Sequence, residues 1–154
     1  MKTYYLYLIL VIVLVSCGTK VTKNPESVIK EVELYSTKID EDKNLKTEIT
    51  EGALTDAEGF KDIGKFKSTV FFNKETNELL KITNVEITEK TITENYYFKN
   101  NKINYFDFHS GNSKPKKIYF NNGKVVSTEN LSSDEQKLFI TKAKRFQKAF
   151  NETH

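Results

Sequence analysis

The sequence has one cysteine, no tryptophan, two prolines, two histidines and a single arginine, Arg145, among its 24 basic residues. One cysteine excludes a disulfide within the chain, and with two histidines it leaves little for a Cys/His metal site. Proteins that read nucleic acids normally use arginine for bidentate contacts, so this lysine-dominated set speaks against a nucleic-acid partner. The sequence also lacks a P-loop, a dinucleotide-binding glycine pattern and a Ser-His-Asp set, and we predict no cofactor.

Apolar and aromatic residues, by contrast, are plentiful. The 154 residues are 38% hydrophobic and 12% aromatic, with 11 Phe and 8 Tyr. Disordered chains are poor in aromatic residues, so this composition predicts a folded protein. The length suits one domain and not comfortably two.

The N-terminus has the features of an export signal. Lys2 supplies a positive charge, and Tyr4 to Val15 form an apolar run of 12 residues. As a helix this run would measure about 18 Å, which is short of the roughly 30 Å hydrocarbon core of a membrane. The run therefore predicts the apolar region of a signal peptide, not a transmembrane helix.

The run ends in Leu14-Val15-Ser16-Cys17, and all four positions resemble the lipobox of bacterial lipoproteins. The resemblance covers about the first eighteen residues and implies cleavage before Cys17 and a diacylglyceryl group on its sulfur. Residues 1–16 are then a signal peptide, 17–24 a lipidated tether, and 25–154 a single globular domain. The lipid would hold the protein on a membrane and would also remove a reactive thiol in an exported chain.

The residue after the lipobox cysteine bears on the destination. In Gram-negative lipoproteins an Asp at this position favours retention in the inner membrane, whereas this chain has Gly18. The resemblance therefore implies a cell-envelope location, on the outer membrane facing the periplasm if the source is Gram-negative.

Two amphipathic helices are predicted at the ends of the globular part. Asn24-Pro25-Glu26 has the pattern of a helix start, and apolar residues follow at steps of four and three. The second helix starts at the capping box Ser132 to Glu135 and has the same spacing through Phe139 and Phe150.

Between the helices the apolar residues alternate with a period of two, and turn signals such as Asn100-Asn101 and Asn122-Gly123 separate the blocks. Gly52 to Gly64 is punctuated by glycine and predicts a loop. Consecutive hairpins without crossover helices predict an α+β fold, an antiparallel meander of about five to seven strands flanked by the two helices. The predicted strands are Phe66 to Phe72, Leu79 to Ile87, Thr91 to Phe98, Ile103 to Phe108 and Lys117 to Phe120, with short ones at Val125-Val126 and Lys46 to Ile49.

Two-residue turns allow a register to be written for the central hairpin. Tyr96 then pairs with Tyr105 and Glu94 with Asp107 on one face, while Tyr97 lies on the other. Both faces would contain aromatic residues, so either helices cover both faces or one aromatic face meets a partner. The apolar positions after Leu79 also change phase, which predicts a bulge near Thr83-Asn84.

In this register Glu94, Asp107 and His109 share one face near the end of the hairpin. Two carboxylates and an imidazole suit a divalent metal or general acid catalysis, which makes a metal-assisted hydrolase one hypothesis. A solvated sheet end would show the same residues, so no catalytic or metal residue is assigned and these three are candidates only.

A second hypothesis is a non-enzymatic binding module with a protein or glycan partner. The aromatic residues of the sheet could form a binding surface, since tyrosine combines apolar area with a polar group. Tyr97 and Tyr105, one from each predicted face, are the candidate binding residues. A periplasmic inhibitor or immunity-type protein fits the same pattern. The binding module is the preferred interpretation because parts typical of catalytic sites are missing.

Overall fold

The computed structural model describes residues 24–154 as one antiparallel sheet with two helices, which confirms the predicted α+β meander. The seven strands lie side by side in the order of the chain. The lipobox, Cys17 and the signal peptide lie outside the described residues. The elements are α1 (Pro25–Glu41), β1 (Lys46–Thr55), β2 (Asp62–Phe72), β3 (Leu79–Ile87), β4 (Thr91–Lys99), β5 (Lys102–Ser110), β6 (Lys116–Asn121), β7 (Lys124–Glu129) and α2 (Ser133–Thr153).

The turns between strands follow the predicted asparagine signals. Asn100 and Asn101 both adopt positive φ (51° and 56°), and so do Asn122 (51°) and Gly123 (77°). Two successive residues of positive φ suit the two-residue turn whose twist matches a hairpin. The turns therefore join β4 to β5 and β6 to β7 directly.

Helix α1 covers part of one face of the sheet. The Asn24 side chain accepts a hydrogen bond from the Glu26 N–H and caps the helix, with Pro25 in the first turn. Its buried valines pack on a row of three tyrosines, one each from β4, β5 and β6. We call this set the tyrosine core: Val28, Val32, Tyr97, Tyr105 and Tyr119.

Helix α2 covers the opposite face. Ser132 and Glu135 form the predicted capping box, and the Lys116 ammonium also donates to Glu135. That hydrogen bond, together with those from Ser132, lowers the pKa of Glu135 to about 2. Helix α2 packs on the sheet and completes the phenylalanine core: Phe72, Leu79, Ile82, Tyr96, Phe98, Phe106, Ile118, Phe120, Phe139, Ala143 and Phe150.

No helix among residues 24–154 is both long and apolar enough to cross a membrane.

Four bulges interrupt the ladders, each leaving one residue without a partner. The predicted bulge near Thr83-Asn84 is wrong, because the β3–β4 pairing is regular from Lys81 to Ile87. A bulge between paired strands changes which face the following side chains occupy. The unpaired residues are Ile63, Leu80, Asn104 and Val126.

The predicted loop from Gly52 to Gly64 is also wrong in extent. Both ends of it are strand, because β1 continues to Thr55 and β2 begins at Asp62. Only residues 56–61 form the turn. The β1–β2 hairpin is consequently longer than the sequence pattern indicated, and β1 is an edge strand of the sheet.

Candidate functional site

The central hairpin separates the three residues predicted to form a metal or acid site. Glu94 pairs with Phe108, and Asp107 pairs with Asn95. Paired residues share a face and successive residues alternate, so Glu94 and Asp107 lie on opposite faces of the sheet. The predicted pairing of Glu94 with Asp107 is wrong, because Asn104 is an extra residue that shifts the register beyond it. The three residues do not form one site.

Glu94 lies on the α2 side, where its carboxylate is buried and paired. The residue is 3% exposed, and the Lys142 Nζ of α2 donates to both Oε1 (2.6 Å) and Oε2 (2.7 Å). Tyr96 Oη and Asn84 Nδ2 donate to Oε2 as well. All of these donors belong to the protein, so this cluster is a structural link between the sheet and α2.

Asp107 lies on the α1 side within a row of polar side chains. Thr83 Oγ1 donates to Asn95 Oδ1 at 2.8 Å, and Asn95 Nδ2 donates to Asp107 Oδ1 at 2.9 Å. His109 Nε2 is 3.0 Å from the same Asp107 oxygen, and its ring is half exposed. Burial raises the pKa of the Asp107 carboxyl above its ordinary value of 3.8, although the Asn95 hydrogen bond and the His109 charge oppose the change.

The raised pKa of Asp107 predicts how the stability of the fold depends on pH. The folded chain binds the Asp107 proton more tightly than the unfolded chain, so this residue's contribution to stability falls as pH rises through the interval above 3.8. Asp107→Asn removes the ionisation. We expect the variant to unfold at a higher temperature than the wild type near pH 7, with the difference narrowing towards about pH 3. Thermal unfolding across this range measures it.

The matched control for this prediction is Glu75→Gln, another carboxyl-to-amide change, because Glu75 is exposed in the turn between β2 and β3 and should leave the unfolding temperature unchanged. A difference between Asp107→Asn and the wild type that grows as pH falls would contradict the prediction.

Tyr97 and Tyr105 are directly paired across the hairpin, so they share one face and do not point to opposite faces as predicted. Both are buried under α1. The Tyr97 hydroxyl donates to the Asp40 carboxylate of α1, which also accepts from Lys81 Nζ at 2.7 Å. Burial, and after it the charges of Asp107 and Asp40, raises the pKa of Tyr97. These tyrosines hold α1 on the sheet and are not an exposed binding surface.

Helix α1 covers only the tyrosine row on its side of the sheet and leaves the rest of that sheet face uncovered. Beyond the tyrosine row, two rows of directly paired residues run across β1 to β5, and most of their side chains are exposed or half-buried. We call these two rows the open face. They are Ile49, Thr69, Thr83, Asn95 and Asp107 in one, and Glu51, Lys67, Val85, Thr93 and His109 in the other.

In the part of β3 that lies on the open face, polar side chains point inward and apolar side chains point outward. Asn84 is buried towards α2, and Glu86 points the same way, whereas Val85 and Ile87 point to the uncovered side. A sheet with one solvated face normally places apolar residues inside and polar residues outside. The phase change that the sequence showed in β3 is therefore real, but it marks this reversal and not a bulge.

Some important residues were missed at the sequence level. Lys142, Asn95 and Asp40 make the contacts described above, yet nothing in their spacing distinguishes them from other surface residues. They are 48, 12 and 57 positions from the residues they contact. The reversal at Val85 is the signal that could have identified the open face.

Within residues 24–154, no group of three or more His, Cys, Asp or Glu side chains lies in an arrangement that could hold a metal ion. In comparisons with protein families, curated proteins and solved structures, nothing matches the chain.

Proposed function

We propose that this protein is a lipoprotein of the bacterial cell envelope, anchored by lipid on Cys17, that acts as a non-enzymatic binding module. The lipobox residues Leu14 to Cys17 support the anchor. The open face supports the binding role. Its partner is another protein of the envelope.

The observation that supports binding most strongly is the reversed alternation of β3. Val85 and Ile87 face outward while Asn84 and Glu94 occupy buried positions that need hydrogen-bond partners. The buried polar groups are hydrogen-bonded within the chain and need no partner, whereas the outward apolar groups gain nothing unless something covers them. A partner that packs on the open face supplies this cover.

The hydrolase hypothesis has less support. It needed two carboxylates and an imidazole on one face, whereas Glu94 is on the α2 side and forms an ion pair with Lys142. The contact between Asp107 and His109 remains, but the same Asp107 oxygen also accepts a hydrogen bond from Asn95, so this contact belongs to the row of polar side chains on the sheet.

The test compares three full-length chains in a bacterial host: the wild type, Cys17→Ser and Thr93→Arg. We expect the wild type to partition into membranes and to begin, by mass spectrometry, with a lipid-modified Cys17. Cys17→Ser should keep its signal peptide or be released. Thr93→Arg places a long cation on the open face, between Val85 and His109, and should lower co-purification of the partner from detergent-solubilised envelopes at least tenfold.

Thr141→Arg is the matched control, since Thr141 is exposed on α2, away from the open face. An unmodified thiol on Cys17 would disprove the anchor. Equal co-purification by the wild type, Thr93→Arg and Thr141→Arg would disprove the role of the open face.

A further inference from the structure

The tip of the β1–β2 hairpin exposes an aromatic side chain almost completely. Phe60 is 90% exposed, the highest value among the exposed large hydrophobic side chains of residues 24–154. Pairing of β2 with β3 ends where Lys65 meets Ile87, whereas pairing of β1 with β2 continues to Thr55 and Asp62. The tip therefore extends beyond the neighbouring β3–β4 turn, and Phe60 is at its end.

The tip is held in one conformation by its own hydrogen bonds. Asp56 Oδ1 accepts from the Phe60 N–H at 3.0 Å, and the Asp56 carbonyl accepts from the Gly59 N–H at 3.0 Å. The Asp56 N–H donates to the Lys61 carbonyl, and Gly59 adopts a φ of +79°. Because the backbone of the turn is already ordered, Phe60 loses mainly side-chain freedom when it binds.

Other apolar side chains lie at the same end of the sheet as Phe60. Ile63 is 50% exposed and Ile87 is 40% exposed. Ile63 and Ile92 line a surface depression of about 430 Å³ next to the β3–β4 turn. Ile92 pairs with Glu86 and lies on the α2 side, whereas Ile87 is on the same face as Val85, so apolar side chains occupy both faces at this end of the sheet.

The charge of the tip restricts what can cover it. Asp56, Glu58 and Asp62 flank Phe60, and Lys61 is the one basic residue of the segment 56–62. An anionic membrane attracts lysine-rich segments, and this acidic segment would be repelled by it. A protein surface that offers an apolar pocket surrounded by lysine or arginine complements both features.

We propose that Phe60 is the anchor through which this protein docks into an apolar pocket with a basic rim on a protein partner. The proposal rests on the proposed binding function and adds the residue and the chemistry of the partner. Phe60 fills the pocket, and Glu58 and Asp62 face the basic rim. Contacts of the open face extend the interface.

The test places a photo-crosslinking residue in the full-length lipidated chain by the substitution Phe60→p-benzoylphenylalanine. We expect irradiation of cells to give one discrete protein adduct, whose crosslinked partner peptide contains apolar residues next to Lys or Arg. Adding Glu58→Lys should lower the adduct at least tenfold. The control is Leu138→p-benzoylphenylalanine, since Leu138 is 55% exposed on α2 and should give no such adduct.

A second measurement uses Phe60→Ala, which should keep the wild-type unfolding temperature because the side chain is exposed. We expect it to weaken co-purification of the crosslinked protein about thirtyfold, as truncation of an interface anchor does. No adduct, an adduct with phospholipid, or an adduct unaffected by Glu58→Lys would overturn the proposal. If Thr93→Arg abolishes binding while Phe60→Ala does not, the anchor fails and the binding function stands. If neither variant weakens co-purification, both the anchor and the proposed binding function are disproved.

Discussion

A chain that stops at Asn130 should not fold into the seven-stranded sheet. It lacks α2, and with it Phe139, Ala143 and Phe150 of the phenylalanine core. Loss of a buried phenylalanine side chain costs about 3–5 kcal/mol, whereas a whole domain is stable by about 5–15 kcal/mol. We expect the shortened chain to show no cooperative thermal transition by circular dichroism.

Two neighbouring residues of α2 allow a finer test of the same packing. Phe139 is buried and stacks on Phe106 with ring centroids 4.4 Å apart, whereas Leu138 is exposed. Phe139→Ala should lower the free energy of unfolding by about 3–5 kcal/mol and Leu138→Ala by less than about 0.5 kcal/mol. Similar losses in the two variants would contradict the observed orientation of α2.

Replacement of Lys142 by methionine should also destabilise the fold strongly. Lys142→Met removes the cation that donates to both oxygens of Glu94 and leaves that carboxylate buried without it. Breaking one side of a buried ion pair costs about 3–5 kcal/mol. For a chain of this size we expect the unfolding temperature to fall by roughly 10 °C, measured by calorimetry.

The double variant Glu94→Gln with Lys142→Met separates the two causes of this loss. It removes the uncompensated charge and keeps hydrogen-bond capacity at position 94, so most of the lost stability should return. If the double variant is no more stable than Lys142→Met, the loss comes from packing of the lysine side chain and not from the buried carboxylate.

Much of the fold follows from local signals in the sequence. The capping box at Ser132, the asparagine turns and the period of two between the helices each describe an interaction within a few residues. Such interactions are independent of the rest of the chain, so they can be recognised before the fold is known. The order of the seven strands follows from them, because each strand pairs with the next one in sequence.

The faces of the sheet could not be predicted in the same way. Asn104 has no partner in the ladder, and nothing in its local sequence distinguishes it from a paired residue. One such residue changes the partner of every residue beyond it. The candidate site of Glu94 and Asp107 therefore failed while the strand prediction succeeded. Where the hairpin had no extra residue, as between Phe98 and Ile103, the predicted pair is correct.

The contacts between helices and strands depend on distances in sequence that local patterns do not report. Lys142 meets Glu94 across 48 positions, and Tyr35 Oη donates to the Phe98 carbonyl across 63. The amphipathic spacing of each helix predicts which residues are buried, but not which charged residue on its flank meets which strand.

The position of α2 after all seven strands has a consequence for the order in which the two cores of an emerging chain can form. The tyrosine core is complete once residues up to Tyr119 have emerged, because α1 precedes the sheet. The phenylalanine core cannot form completely until Phe150 has emerged, because Phe150 makes an edge-to-face contact with Phe72. Until then the sheet exposes one finished aromatic face to its surroundings. Such a species is prone to aggregation, so chaperone binding should be concentrated in this interval.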